Sequence, residues 1–181
     1  FKIGLQEVTN EDYATFLNAV AHLDDVYNLH DARMGIVRDP QDGTFIYKTK
    51  DGEANKPVVY VDLWCAMRYC NWLHNGGFKG ADTESGAYRL LGNVGPNVEN
   101  VVRNTGALYF LPNKDEWFKA AFYNPVNLSY TRFATRSDTA NPTEINFGST
   151  QAKDVYKLTF PSFYNTYAQS GNVAEWTETI T

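Results

Sequence analysis

Residues 124–170 show almost no hydrophobic periodicity, neither the repeat of a helix nor the alternation of a strand. A structureless run of about 45 residues is uncommon inside a compact domain, where loops of that length are usually functional. We therefore expect a fold in which long loops are held in place by bound ions or form a functional rim.

The composition predicts a globular chain rich in ring packing. Of 181 residues, 43% are apolar, 20% are charged and 15% are aromatic. A chain of this length buries roughly 70% of its unfolded surface, so it needs neither a metal nor a disulfide merely to hold a core. No repeat and no low-complexity segment interrupts it, and one domain is the simplest expectation.

Charge and hydropathy argue against nucleic-acid binding and against a membrane-spanning segment. The net charge is -5 and the pI is about 5.2, which gives no general attraction to nucleic-acid phosphate or to an anionic membrane surface. No apolar stretch approaches the roughly 18 residues that a membrane-spanning helix needs. We expect no nucleic-acid partner and no membrane span in this segment.

The two cysteines lie in one predicted helix, within "VDLWCAMRYCNWL". Five residues along a helix separate Cys65 and Cys70 by about 7.5 Å and place them on different faces, so they cannot bridge each other. Each is a buried thiol, a thiol bonded to something outside this segment, or a reactive thiol. No CxxC or HxxxH pair supplies a tetrahedral zinc site.

Three helices are predicted from apolar spacing and capping residues. The first follows Thr9, and the second follows Asp62 as its N-cap. The third follows Asn113, which has Glu116 three residues on as its capping-box partner. The predicted inward faces are Tyr13, Phe16, Leu17 and Val20 in the first helix and Leu63, Ala66, Met67, Cys70 and Leu73 in the second.

Four stretches read as strands or hairpins. A short strand opens the chain, and "TFIYKTK" lies between two Asp-Gly turn signals that predict a hairpin. The run "PVVYV" reads as a buried strand, and "ALYFL" reads as a strand that ends at Pro112. Residues 92–106 are polar and hairpin-like at best.

Four segments, in this order, resemble the formylglycine-generating enzyme (sulfatase-modifying factor) family. They are "EVTNEDYATFLNAV", "KPVVYVDLWCAMRYCNWLHNG", "YFLPNKDEWFKAAFY" and "GNVAEW". The family's usual forms are EVTN-x-x-Y-x-x-F, PV-x-x-VSW-x-x-A-x-x-Y-C-x-W, YRLPTE-x-EWE-x-AA and GN-V-WEW. The resemblance spans the chain and is nearest to the secreted bacterial branch.

The resemblance implies an α+β, C-type-lectin-like fold with short helices and strands, long irregular loops and structural calcium. It implies that residues 1–181 are a single domain that lacks its C-terminal third. Carried over by position, one ion has the carbonyls of Gln169, Gly171 and Val173, and the other has Asn146, Phe147, Asp154 and Tyr156. Ala168 stands where the family has an acidic or amide residue, so we expect the first ion to be bound weakly.

The family's catalytic residues have no counterpart among these positions. In the enzyme, two copper-binding cysteines follow the GNVWEW turn and an RGGSW segment, beyond the position that matches Thr181. Cys70 matches the structural cysteine of the second helix, and Cys65 stands where the family commonly has an acid. Copper is therefore implied only if the part beyond residue 181 carries the catalytic pair.

Two functions follow from the resemblance. The first is a non-catalytic binding or assembly module, secreted, periplasmic or at the cell surface, with a protein or glycan partner. The second is the scaffold of an oxidase that converts a sulfatase cysteine to formylglycine. For the module, the contact surface is expected in loops 22–56 and 124–170, with their aromatic residues Tyr27, Phe45, Tyr130, Phe133, Phe163 and Tyr164. Trp117 in the third helix and Trp176 in the final turn are expected in the core, and Glu175 is expected to bond neighbouring backbone donors.

Overall fold

The computed structural model describes residues 1–95 and 101–179 and divides the chain into two compact units. The helical unit comprises residues 10–54 and 58–111, and the loop unit comprises residues 1–9, 55–57 and 112–179. None of the helices in the described part is long and apolar enough to cross a membrane.

The helical unit contains two helices and one hairpin. Helix α1 spans Asn10–Val20, strands β1 and β2 span Ile36–Gln41 and Thr44–Thr49, and helix α2 spans Leu63–His74. The strands pair antiparallel around Asp42 and Gly43, which both have positive φ, as the turn signal predicts. The predicted hairpin and both predicted helices are confirmed, and Asp62 caps α2 by accepting a hydrogen bond from the Cys65 amide at 2.7 Å.

Helix α2 is buried on two sides. Cys65 and Trp72 belong to a core with α1 and the hairpin, in which the Phe16 ring lies 5.3 Å from Tyr69 and 5.4 Å from Trp72. Met67 and Cys70 belong to a second core with Ala87, Tyr88 and Leu90. The predicted stripe of α2 is therefore only one of its buried faces.

Two asparagines, the partly buried Asn18 and the fully buried Asn71, join these elements. The Asn18 amide donates to Tyr47 O at 2.8 Å and accepts from Tyr47 N at 2.9 Å, which ties α1 to β2. Asn71 does the same for the loop after α2, donating to Tyr88 O at 3.0 Å and accepting from Tyr88 N at 2.8 Å. Side-chain amides thus replace the backbone ladders that a larger sheet would provide.

The loop unit is mostly irregular, as predicted for residues 124–170. Helix α3 spans Lys114–Phe122, strands β3 and β4 are the two-residue segments Tyr123–Asn124 and Ser129–Tyr130, and a single 3-10 turn spans Val155–Lys157. The amino-terminal segment joins this unit, since Tyr167 N donates to Leu5 O at 2.8 Å.

Three predicted strands do not form. The opening segment has only a single bridge, Thr9 to Pro57, and no described residue of 57–61 or 107–111 lies in a strand. Tyr60 has φ +62 and is half exposed, which is incompatible with a buried strand. Leu108 and Tyr109 are exposed as well. Residues 96–100 of the predicted 92–106 segment lie outside the described residues, and the rest of it is coil.

The capping box of α3 is present and predicts a measurable loss on its removal. Asn113 Oδ1 accepts from the Glu116 amide at 2.8 Å, and Glu116 Oε2 accepts from the Asn113 amide at 2.9 Å. We expect Asn113→Ala to lower the free energy of unfolding by about 1 kcal/mol, measured by urea denaturation. Asn113→Ser is the matched control and should cost less than half as much. Equal losses in both variants would contradict the capping role.

Candidate carboxylate pocket

A pocket of about 500 Å³ in the loop unit is built around the turn at residues 168–173. Ala168, Gly171 and Asn172 all have positive φ, so the backbone there is held in a conformation that most residues avoid. The lining residues are Trp117, Asn146, Phe147, Gly148, Ser149, Gln169, Gly171, Asn172, Val173, Ala174, Glu175 and Thr177.

Gly171 is required by close backbone packing. A Cβ atom at this position would lie 2.6 Å from Asn146 O, and the glycine has φ +110. The same carbonyl oxygen accepts a hydrogen bond from Asn172 N at 2.9 Å. The turn is therefore pressed against the backbone of residue 146.

Because of this close packing, adding one methyl group at position 171 should destabilise the fold strongly. We expect Gly171→Ala to lower the free energy of unfolding by about 2 to 4 kcal/mol, because strain and a backbone clash add. Gly148→Ala is the control, since Gly148 also has positive φ but nothing lies within 4 Å of its Cβ position. Chemical denaturation that gives equal losses would show that the clash is absent.

Asn172 connects the pocket to the amino-terminal segment. Its Oδ1 accepts from Asn146 Nδ2 at 3.0 Å and from Lys153 N at 2.8 Å, while its Nδ2 donates to Glu7 Oε2 at 2.9 Å. The side chain therefore orients the Glu7 carboxylate beside the turn.

Glu7 does not line the pocket, but it lies behind the turn, bonded to Asn172, and its carboxylate is strongly perturbed. Loss of hydration raises the pKa of Glu7 to about 7, the hydrogen bond from Asn172 lowers it, and the nearby Glu175 charge raises it. Its Oε1 atom is buried without a hydrogen-bond partner among the described residues. A bond from the Val173 backbone also lowers the pKa of Glu7, so the carboxylate is partly satisfied, and a proton or a cation would complete it.

Glu175 is the second carboxylate. Its Oε2 accepts a hydrogen bond from Trp117 Nε1. Reduced hydration raises the pKa of Glu175, and the bond from Trp117 opposes that rise. Glu175 thus bonds an indole and not only backbone donors, and the expectation that Trp176 is a core residue is wrong, because 49% of its surface is exposed. Trp117 is partly buried.

The structure brings five of the seven predicted calcium ligands to this pocket: Asn146, Phe147, Gln169, Gly171 and Val173. The other two do not line it. Asp154 Oδ1 instead accepts from Tyr156 N at 2.9 Å, as the cap of the 3-10 turn. Ala168 borders a smaller neighbouring cavity. The ligand assignments themselves stay predictions.

Sequence reasoning missed Glu7 and Asn172 as parts of the site. The signal lay in the motifs themselves, since "EVTN" supplies Glu7 and "GNVAEW" supplies Asn172 and Glu175. The described residues contain no group of three or more His, Cys, Asp or Glu side chains suited to a metal. A cation here would thus depend on carbonyl oxygens as well as on the two carboxylates, and hard oxygen ligands suit calcium.

The architecture defines a loop-rich α+β protein with small antiparallel sheets and a carboxylate pocket. Residues 1–180 match the model of the sulfatase-modifying factor enzyme 1-like domain family, so the chain belongs to that family and the resemblance is confirmed. No curated protein and no solved structure gives a significant match.

Proposed function

We propose that this chain is a non-catalytic, extracytoplasmic binding or assembly module with a C-type-lectin-like, formylglycine-generating-enzyme fold. The observation that carries the proposal is an aromatic patch on the loop unit, formed by Phe118, Phe122, Tyr123 and Tyr130. Phe118 is 45% exposed and Tyr130 is 55% exposed. Exposed aromatic clusters are typical of interaction surfaces.

The six aromatic residues predicted to form the contact surface differ in their exposure to solvent. Of the six loop aromatics, Tyr130 and Tyr164 are exposed. Tyr27 and Phe45 pack against the first core, where the Arg68 and Arg38 guanidinium groups lie 3.9 Å and 3.6 Å from their respective ring centroids. Phe133 and Phe163 are partly buried. Tyr130 is thus the predicted contact residue that belongs to an exposed cluster.

The two cysteines of this segment are structural under either function. Cys65 and Cys70 are buried and free, as helix geometry predicts for a pair that cannot bridge. Burial, with the nearby Asp62, raises the pKa of the Cys65 thiol well above its ordinary value. The reactive form of cysteine is the thiolate, so such a thiol is inert.

We further propose that the carboxylate pocket holds a structural calcium ion. The unpartnered Glu7 Oε1 and the neighbouring Glu175 supply negative charge, and the turn at Gly171 and Val173 supplies carbonyl oxygens. Calcium would balance the two carboxylates and fix the turn. The second predicted ion, at Asn146, Phe147, Asp154 and Tyr156, remains a proposal that rests on the family resemblance alone.

The alternative function is the scaffold of a formylglycine-generating oxidase, and membership of the family is compatible with either function. In that case the copper-binding cysteines lie beyond residue 181, and the two cysteines seen here remain structural.

Native alkylation tests the inert-thiol argument. The intact protein is treated with iodoacetamide at pH 8, with and without denaturant, and digested for mass spectrometry. We expect Cys65 and Cys70 to be alkylated only in denaturant, because both are buried. Rapid alkylation of either residue in the native protein would contradict a purely structural role.

A further inference from the structure

The aromatic patch is a continuous set of ring contacts. The Phe118 ring lies 4.7 Å from Phe122 and 5.6 Å from Tyr130, and the Tyr123 ring lies 5.1 Å from Tyr130. The patch therefore joins the last turns of α3 to the β3–β4 hairpin. At the hairpin turn, Val126 and Leu128 are 82% and 75% exposed, which extends the apolar surface.

The charges on α3 border this patch with cations. The exposed residues of the helix are Lys114, Asp115, Phe118 and Lys119. Lys114 is one helical turn before Phe118 on the same face, and Lys119 Nζ lies 5.7 Å from the centroid of the Tyr123 ring. Asp115 is in the first turn, where the helix dipole favours it. The apolar surface is thus flanked by two ammonium groups and by the Asp115 carboxylate, three positions before Phe118, which leaves a local excess of one positive charge among the exposed residues of α3.

This local charge contrasts with the charge of the whole chain. At pH 7 the chain carries a net charge of -5, so two copies repel each other as they approach. An acidic partner is repelled by most of the surface but attracted to Lys114 and Lys119, which directs it to the patch. Aromatic and aliphatic side chains of the partner would then bury the exposed rings.

Building on the proposed function, we propose that the aromatic patch binds an acidic protein segment that also carries aromatic or aliphatic side chains. Phe118 and Tyr130 supply the contact area. Lys114 and Lys119 supply the selection for negative charge, and the partner's apolar side chains distinguish it from a simple polyanion.

The test uses a random copolymer of glutamate and tyrosine as the probe, with polyglutamate and a lysine–tyrosine copolymer as matched controls. Binding of the fluorescently labelled polymers to the intact protein is followed by anisotropy. We expect the glutamate–tyrosine copolymer to bind more tightly than either control. Binding should weaken as the salt concentration is raised from about 0.05 M to about 0.5 M, because salt screens exposed charges.

Single variants then assign the binding to the patch. Phe118→Ser and Tyr130→Ser should each weaken binding about tenfold or more, as truncation of a central aromatic does at interfaces. Lys119→Glu should weaken binding and flatten its salt dependence. Tyr164→Ser, an exposed tyrosine outside the ring contacts, is the control and should change nothing. Melting curves confirm that each variant is folded.

Several results would overturn the proposal. One is that polyglutamate binds as tightly as the glutamate–tyrosine copolymer, and another is that the Phe118→Ser and Tyr130→Ser variants bind the copolymer as well as the unmodified protein does. A third is that neutral maltohexaose binds and that the patch variants abolish this binding. A fourth is that the protein is a dimer in sedimentation velocity and that Phe118→Ser dissociates it. These results are compatible with a non-catalytic module that binds a different partner or binds it at a different surface. Conversion of a sulfatase cysteine by the intact protein would instead overturn the proposed function.

Discussion

Glu84→Gln is expected to lower the free energy of unfolding by about 3 to 5 kcal/mol, because it leaves the buried Arg68 without a counter-charge. Arg68 has no exposed surface, and its Nε and Nη2 atoms lie 2.7 and 3.3 Å from the Glu84 carboxylate. Nη2 also donates to Asn93 O at 2.9 Å. The carboxylate in turn accepts from the Gly92 amide at 2.6 Å, so the pair fastens the loop after α2.

The Asp31–Arg33 pair provides a matched control for this loss. It is a shorter ion pair, 2.6 Å, but the Arg33 side chain is 68% exposed. Asp31→Asn should therefore cost much less than Glu84→Gln. The double variant Arg68→Met, Glu84→Leu should be more stable than Glu84→Gln alone, since no buried charge remains. If Glu84→Gln costs no more than Asp31→Asn in urea denaturation, the buried pair is not a principal tie of this loop.

Glu7→Gln is expected to stabilise the protein at pH 8 in chelator, by about 1 to 3 kcal/mol. The native pKa of Glu7 is about 7, against an ordinary value of 4.5, so the native state holds this proton more tightly than the unfolded chain does. The stabilising contribution is complete below pH 4.5 and is lost as the pH rises through 7. A glutamine at position 7 can still accept the hydrogen bond from Asn172 Nδ2, and because it is neutral it does not lose stability as the pH rises.

Calcium should reverse the order of the two proteins. At pH 8 an ion bound by the Glu7 carboxylate stabilises the native state by mass action, and the Gln variant lacks that charged ligand. Melting curves from pH 4 to 9, with chelator or with calcium, measure both effects. Asp24→Asn, at an exposed acid, is the control. An unchanged pH profile in Glu7→Gln would contradict the raised pKa, and equal calcium effects in both proteins would exclude Glu7 as a ligand.

The helices could be predicted because their signals are local. Asp62 caps α2 and Asn113 caps α3 with bonds to residues three positions on, and the spacing of Tyr13, Phe16 and Leu17 reports one buried face. The buried face of α2 that carries Cys65 and Trp72, toward the first core, could not be seen. The helix also buries polar side chains that no local signal reports. They are Arg68 and Asn71, whose burial depends on Glu84 and Tyr88, and such partners are set by tertiary contacts.

The predicted strands that do not form show that a local apolar pattern is not sufficient for a strand. Val58 and Val61 are partly buried against the first core from coil, so an apolar run served packing without backbone pairing. A strand requires a partner edge, which no local pattern guarantees. The site was incompletely predicted for the same reason, because Glu7 and Glu175 come from opposite ends of the chain, and Glu7 is held beside the turn by Asn172.

The central claim is that the protein binds but does not oxidise, and conversion of a substrate peptide tests it most directly. The intact protein, loaded with copper and supplied with oxygen and a thiol reductant, is incubated with a peptide that carries a sulfatase's active-site cysteine. A copper-loaded formylglycine-generating enzyme is the positive control, and aldehyde is trapped with a hydrazide and read by mass spectrometry. We predict that the peptide keeps its thiol; formation of the trapped aldehyde at a rate comparable to the control would contradict the claim and establish the oxidase.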